Sequence, residues 1–272
     1  MAKIVPLRSE KIFNNITFVT LAIYVIFAAV MIGSVLFYTN PGFVLKYIFS
    51  KETLFSIRLS MVTSLITTAL ALLVGVPAGY CLSRYNFRGK GFIDMVIDLP
   101  IVLPPLVMGL CILIFFSLAP GRFVQDHIMR FVFSVPGIVL AQFSISASFA
   151  VIALRSAFDG VDPRYEQAAR TLGCSKVQAF FKTTFPLVRG GMISGAVMVW
   201  TRAVGEFVPI LLICGATKGK TDIMPIAIFL EFEQGNVEGA VSLTIIFLVL
   251  AAIYLATFRK LGLRTGGRMR ER

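Results

Sequence analysis

Six mostly apolar stretches of 18 to 27 residues alternate with short polar segments along the chain, at 16–39, 57–83, 93–118, 135–158, 191–214 and 241–258. About twenty apolar residues are enough to cross roughly 30 Å of hydrocarbon as a helix. The pattern predicts six transmembrane helices, an all-α membrane protein. The first stretch follows Lys3, Arg8 and Lys11 as a signal peptide would, but its apolar run is too long and no small-residue cleavage site follows. It reads as a retained helix.

Within the spans the polar residues are not scattered. Ser60, Thr63, Ser64, Thr67 and Thr68 lie on one face of the second span, and Ser144 and Ser148 are i, i+4 neighbours in the fourth. Such hydroxyls either line a water-filled path or bond back to their own helices and allow tight packing, and the second role is the more common. Arg202 and Glu206 are the ionisable pair deepest in a span, and a continuous helix would put them on one face. They read as a mutually neutralising pair that shapes a pathway or gate. Pro100, Pro104 and Pro105 remove helix donors and predict a kink or break in the third span. Gly75 with Gly79, and Gly191 with Gly195, have the spacing of close helix contacts but identify no partner.

Residues 159–190 form the long polar segment, and they carry helix punctuation throughout. Asp162 is a good N-cap, Pro163 suits the first helical position, and Gly173 can end the helix in a left-handed conformation. A helix over 163–172 is predicted, with Tyr165, Ala168, Ala169 and Leu172 on one face and a favourable Glu166–Arg170 pair on the other. Ser175 can cap a second short helix bearing Val177, Phe180 and Phe181, and Pro186 is expected to close the segment before the fifth span. The mild, Ala-rich stripe of the first helix suits docking in a protein groove better than anchoring in lipid.

Composition supports the membrane reading: 57% of the 272 residues are hydrophobic and only 15% charged, with a mean hydropathy of +0.85. Eighteen of the 26 Lys and Arg fall on the side of the two termini and residues 159–190, against seven on the other, so both termini are expected in the cytoplasm. The net charge of +12 follows from that placement and forms no nucleic-acid-binding stripe. The expected organisation is a cytoplasmic segment 1–15, a membrane domain 16–258 containing the loop 159–190, and a basic cytoplasmic tail 259–272. Cys81, Cys111, Cys174 and Cys214 are too dispersed for a disulfide framework or zinc site, and the lone His127 reads as a solvated loop residue.

Glu166-Gln167-Ala168-Ala169, then Gly173 and Pro186, resembles the Glu-Ala-Ala loop of ABC importer permeases, with Gln167 in place of the first Ala. The position of the loop between the fourth and fifth of six spans is similar too. Leu99-Pro100, Leu103-Pro104-Pro105 and Gly109 resemble the third span of the molybdate, tungstate and sulfate permeases, and Trp200 with Arg202 to Phe207 resembles their fifth. Val208-Pro209-Ile210 departs from that pattern, which keeps polyamine and ferric-iron permeases open as alternatives. The resemblance implies a type I importer permease carrying an oxyanion. It also implies a homodimer with two cytoplasmic ATPase subunits, which hold the ATP and Mg, and an external substrate-binding protein. Asp162, Tyr165, Glu166, Ala168, Ala169, Leu172, Gly173 and Pro186 would then form the ATPase-coupling element, in a multi-pass protein of the cell membrane.

The chain itself holds only a near miss to a phosphate-binding loop, because Cys214 stands where the first glycine of that motif would precede Lys220-Thr221. No nucleophilic, paired-acid or metal-ligand motif is present, so no catalytic residue, metal or cofactor is assigned to it. An ion-coupled secondary carrier is the remaining rival class. It would use an intramembrane acid such as Glu206 and would not need the built loop.

Overall fold

A computed structural model describes residues 8–38 and 41–266, with side chains from 12 to 257 outside that gap. The expected segment 1–15 is thus described only from Arg8, and the basic side chains of 259–272 lie outside the described residues. The regular elements among the described residues are all helices. The helices are α1 (Arg8–Tyr38), α2 (Pro41–Ile48), α3 (Lys51–Arg84), α4 (Lys90–Val102), α5 (Pro105–Ser117), α6 (Ala119–His127) and α7 (Val135–Asp159). They continue as α8 (Arg164–Thr171), α9 (Lys176–Ala179), α10 (Phe185–Val204), α11 (Val208–Cys214), α12 (Met224–Glu233) and α13 (Val237–Gly266).

Helices α1, α3, α7 and α13 are each long and apolar enough to span a membrane unaided. The third and fifth expected spans are broken, and counting each broken pair as one crossing gives six. In the third, α4 and α5 meet at 109° around Leu103 and Pro104, where two successive prolines cannot donate to the preceding turn. Pro100 is accommodated inside α4.

The fifth span differs from expectation at both ends. It does not start after Pro186: a π-helical turn, Phe180–Thr184, links α9 to α10, and the helical run is continuous from Lys176 to Val204. The widened turn lies just before Pro186, where it relieves the steric demand of a proline on the preceding turn. The run then ends at Gly205, and α11 departs at 53°. Pro209 explains that break, because its ring would clash with the carbonyl of Gly205 in an unbroken helix. The two broken spans pack on one another: a Cβ on Gly109 of α5 would lie 3.0 Å from Pro209 Cα of α11.

Helix α7 is the centre of the bundle. Its most extensive contact is with α3, followed by α10. Both glycine pairs face it: a Cβ on Gly75 would meet Ala150 Cβ at 2.8 Å, and one on Gly79 would meet the Arg155 amide nitrogen at 2.8 Å. Gly191 and Gly195 approach Ala157 and Ala153 on the opposite flank. Small residues let the helix backbones come together, and van der Waals contact then holds helices that lipid alone would not drive together. Helix α1 stands apart, its described side chains open and its main contact being α13.

Gly79→Ala is expected to destabilise the protein by about 1–3 kcal/mol, because backbone on both helices has to move. Gly33→Ala, with nothing within 4 Å of the new methyl group, should leave stability unchanged or raise it by up to about 1 kcal/mol, the helix preference of Ala over Gly. Thermal unfolding of the two variants in detergent checks the contrast.

Candidate functional site: a pinned polar segment and two helix breaks

The segment between α7 and α10 begins as its punctuation predicts. Asp162 Oδ1 accepts from the Arg164 amide at 2.8 Å, and α8 runs from Arg164 to Thr171, one residue inside the expected bounds at each end. Gly173 takes φ 91°, with its own amide and that of Cys174 bonded back to Arg170 and Ala169 carbonyls. Ser175 and Gln178 then form a reciprocal capping box at 3.2 and 2.9 Å.

The two faces of α8 have unequal surroundings. Glu166 does not pair with Arg170. Its Oε2 accepts from Tyr80 Oη at 2.8 Å, while its Oε1 takes the Thr184 hydroxyl and lies 3.3 Å from Arg84 Nε. The Arg84 and Glu166 side chains are only 8% and 12% exposed. An i, i+4 partner on the surface offers a few tenths of a kcal/mol, whereas a shielded carboxylate with three donors gains far more and would be costly to leave alone. Arg84 also donates to the Val161 carbonyl at 2.9 Å. Tyr80 is itself wedged edge-on against Phe158 and Phe180 at 5.5 and 5.0 Å. The segment is therefore fastened to the end of α3 by charge, hydrogen bonds and aromatic packing together.

The expected apolar stripe points the other way. Tyr165 and Leu172 are 57% and 86% exposed; Ala168 is exposed and Ala169 half-buried. Val177 and Phe181 of the following turns are exposed as well, and Pro186 lies exposed in the first turn of α10. Helix α8 therefore has one face pinned to the bundle and an apolar one left open.

Among the pathway candidates, the α3 hydroxyls face α7 and the protein interior. Ser60, Thr63, Ser64, Thr67 and Thr68 are all buried. Thr63, Ser64 and Thr68 donate to carbonyls of their own helix. Thr67 reaches Gln142 Oε1 of α7 at 2.9 Å, and Ser60 Oγ accepts the Met224 amide at 2.7 Å. On α7, Ser144 is half-buried and donates to the Ala141 carbonyl, while Ser148 is buried. In this chain the stripe does what small hydroxyls most often do in helix bundles.

Arg202 and Glu206 meet at 2.6 Å, but not on one continuous helix: Glu206 lies beyond the end of α10, in the bend before α11. Glu206 is 3% exposed and Arg202 29%, and Thr201 and Gly205 beside them are exposed. The break therefore carries a buried carboxylate that compensates a half-open guanidinium. Pro104 and Pro105 are exposed at the other break.

Sequence reasoning missed Tyr80, Arg84 and Thr184. Arg84 read only as a topology marker, and nothing local links it to a residue 82 positions away. Arg155, likewise, bridges Asp94 of α4 at 2.8 Å and approaches Asp159, a junction that no spacing announces.

The family of binding-protein-dependent transport system inner membrane components matches residues 71–265. The chain belongs to that family. It is a multi-pass inner-membrane permease subunit of the ABC transporter class. The molybdate/tungstate transport system permease protein WtpB of Pyrococcus furiosus is 38% identical over 203 residues, 75% of this chain and 74% of that protein. The molybdenum transport system permease protein ModB of Escherichia coli K12 is 36% identical over 206 residues, 72% of this chain and 89% of that one. In fold, the chain resembles a solved bacterial alginate ABC transporter in complex with an alginate pentasaccharide-bound periplasmic protein. That likeness has a TM-score of 0.76 at 13% identity, over 94% of this chain and 96% of that one.

If Glu166 fastens the segment, Glu166→Ala should cost the local attachment about 3–5 kcal/mol, the figure for breaking a shielded ion pair. Tyr80→Phe should cost about 1 kcal/mol, one hydrogen bond. Amide hydrogen exchange over residues 164–184 should speed up strongly in the first variant and slightly in the second.

Proposed function

We propose that this permease carries a tetrahedral oxyanion into the cell, molybdate or tungstate ahead of sulfate, as one of two identical subunits of an ATP-driven importer. The names of the 38% and 36% identical relatives carry the choice of substrate. An external binding protein delivers the anion. Two separate ATPase subunits bind ATP and Mg and hydrolyse the nucleotide, gripping the apolar face of Tyr165, Ala168, Ala169 and Leu172.

The excess of Lys and Arg on the side of residues 159–190 supports a cytoplasmic position for that segment and for both termini. The organisation follows: a cytoplasmic N-terminal segment, a membrane domain to about residue 258, and a basic cytoplasmic tail.

Burial of the α3 stripe argues against an anion path along it. The exposed Thr201 and half-open Arg202 at the end of α10, with the exposed Gly205 at the break, favour a path along that face instead. Glu206 takes one edge of the Arg202 guanidinium, and the remaining N–H donors are free to meet a passing anion. Because the pair is neutral overall, it can guide an oxyanion without trapping it.

The complex reconstituted with its own ATPase and binding protein should hydrolyse ATP faster when molybdate or tungstate is supplied. Stimulation by spermidine or ferric iron, with no response to oxyanions, would contradict the proposal.

A further inference from the structure

At the end of the bundle away from residues 159–190, a cavity of about 110 Å³ opens between the end of α2, the first turns of α3, the 215–223 loop, α12 and α13. Its walls are oxygen-rich. Tyr47, Thr53, Ser56, Asp222 and Glu231 line it, with Glu52 and Lys218 at the same site. The volume is ample for an ion with its water, since a single water needs about 10–15 Å³ of such space.

Asp222 is only partly satisfied there. It is 3% exposed, and it lines the cavity with Oδ1 lacking any hydrogen-bond partner. Its Oδ2 has only the Ser56 hydroxyl, at 3.3 Å. That hydroxyl also lies 3.1 Å from the Glu52 carbonyl, so one proton serves two acceptors. A carboxylate out of water with less than one full donor is costly unless a positive charge joins it.

The cation already present is committed elsewhere. Lys218 Nζ lies 3.1 Å from Glu231 Oε1 and 3.5 Å from Gln234 Oε1, and the Glu231 hydrogen bond is the first cause of its raised pKa. Glu231 in turn accepts at Oε2 from Asn236 at 2.6 Å and from Tyr47 at 3.3 Å. The Lys218–Glu231 pair is thus locally neutral and satisfied, and Asp222 leaves one negative charge inside the cavity. Glu52 is exposed and adds a screened charge at the rim.

We propose that this cavity is a binding site for an alkali cation of the Na⁺ class, with the Asp222 carboxylate as its anionic ligand and the neighbouring hydroxyl oxygens and water completing the shell. Oxygen-only donors suit a hard cation. A single uncompensated carboxylate suits charge +1 better than +2, and among the described residues no three Asp, Glu, His or Cys come together as a multivalent-metal set. The bound ion would tie α3 to the 215–223 loop that leads into α12. This site is independent of the transported substrate and of the ATPase-docking face.

The test uses the full chain in its ATPase complex in lipid nanodiscs, comparing NaCl with choline chloride at equal ionic strength. The unfolding temperature should rise saturably with Na⁺ and not with choline, and ²²Na⁺ should bind in parallel. Asp222→Asn should abolish both responses. Ser56→Ala, a small change that keeps the fold, should raise the half-saturating Na⁺ concentration by about tenfold, as loss of an orienting partner does. Identical unfolding in Na⁺ and choline, or full ²²Na⁺ binding by Asp222→Asn, would overturn the site.

Discussion

The close approach of α3 and α7 is the contact on which the rest of the molecule depends. Gly75 and Gly79 let the helices come so near that an added methyl group at either position would collide with the facing helix. At that distance the α3 hydroxyls and Gln142 lie in a buried seam, where they serve their own carbonyls and one another. The same approach brings the last turn of α3 beside the end of α7. There Tyr80 and Arg84 meet the chain just as it leaves the bundle at Val161. One packing decision therefore sets both the core of the permease and the anchorage of its polar segment.

That anchorage gives Glu166 a role its neighbours in the motif do not share. The carboxylate belongs to the permease, held by three donors and shielded from water, while the adjoining apolar residues are open. Glu166 thus links α8 to α3 through Tyr80 and Arg84 and to the start of α10 through Thr184, while the opposite surface of α8 stays open. At the far end of α10, the break at Gly205 holds Arg202 and Glu206.

Much of this was legible in the sequence. Hydropathy located the spans, because every crossing must bury its own backbone polar groups. Asp162, Gly173 and Ser175 marked the turns, since capping and left-handed conformation are local properties. Pro104 and Pro105 announced the first break. The second was harder to see: Pro209 acts four residues back on Gly205, inside an otherwise uniform apolar run. Pro186 misled in the opposite sense, because a π turn over 180–184 absorbs it. The hydroxyl stripe of α3 has the right spacing for a path, but spacing cannot say whether a face looks at protein or at water. The donors to Glu166 were out of reach of any local rule, being brought together only by the α3–α7 contact.

The face bearing Tyr165, Ala168, Ala169 and Leu172 is proposed as the ATPase-docking surface, with Glu166 fastening it from behind. The direct measurement is retention of the ATPase subunit on the purified permease. Leu172→Glu places a charge on the exposed face, where no internal contact is disturbed. This variant should fold with an unchanged unfolding temperature and lose the ATPase on purification. A Leu172→Glu permease that keeps its ATPase and transports at the normal rate would contradict it.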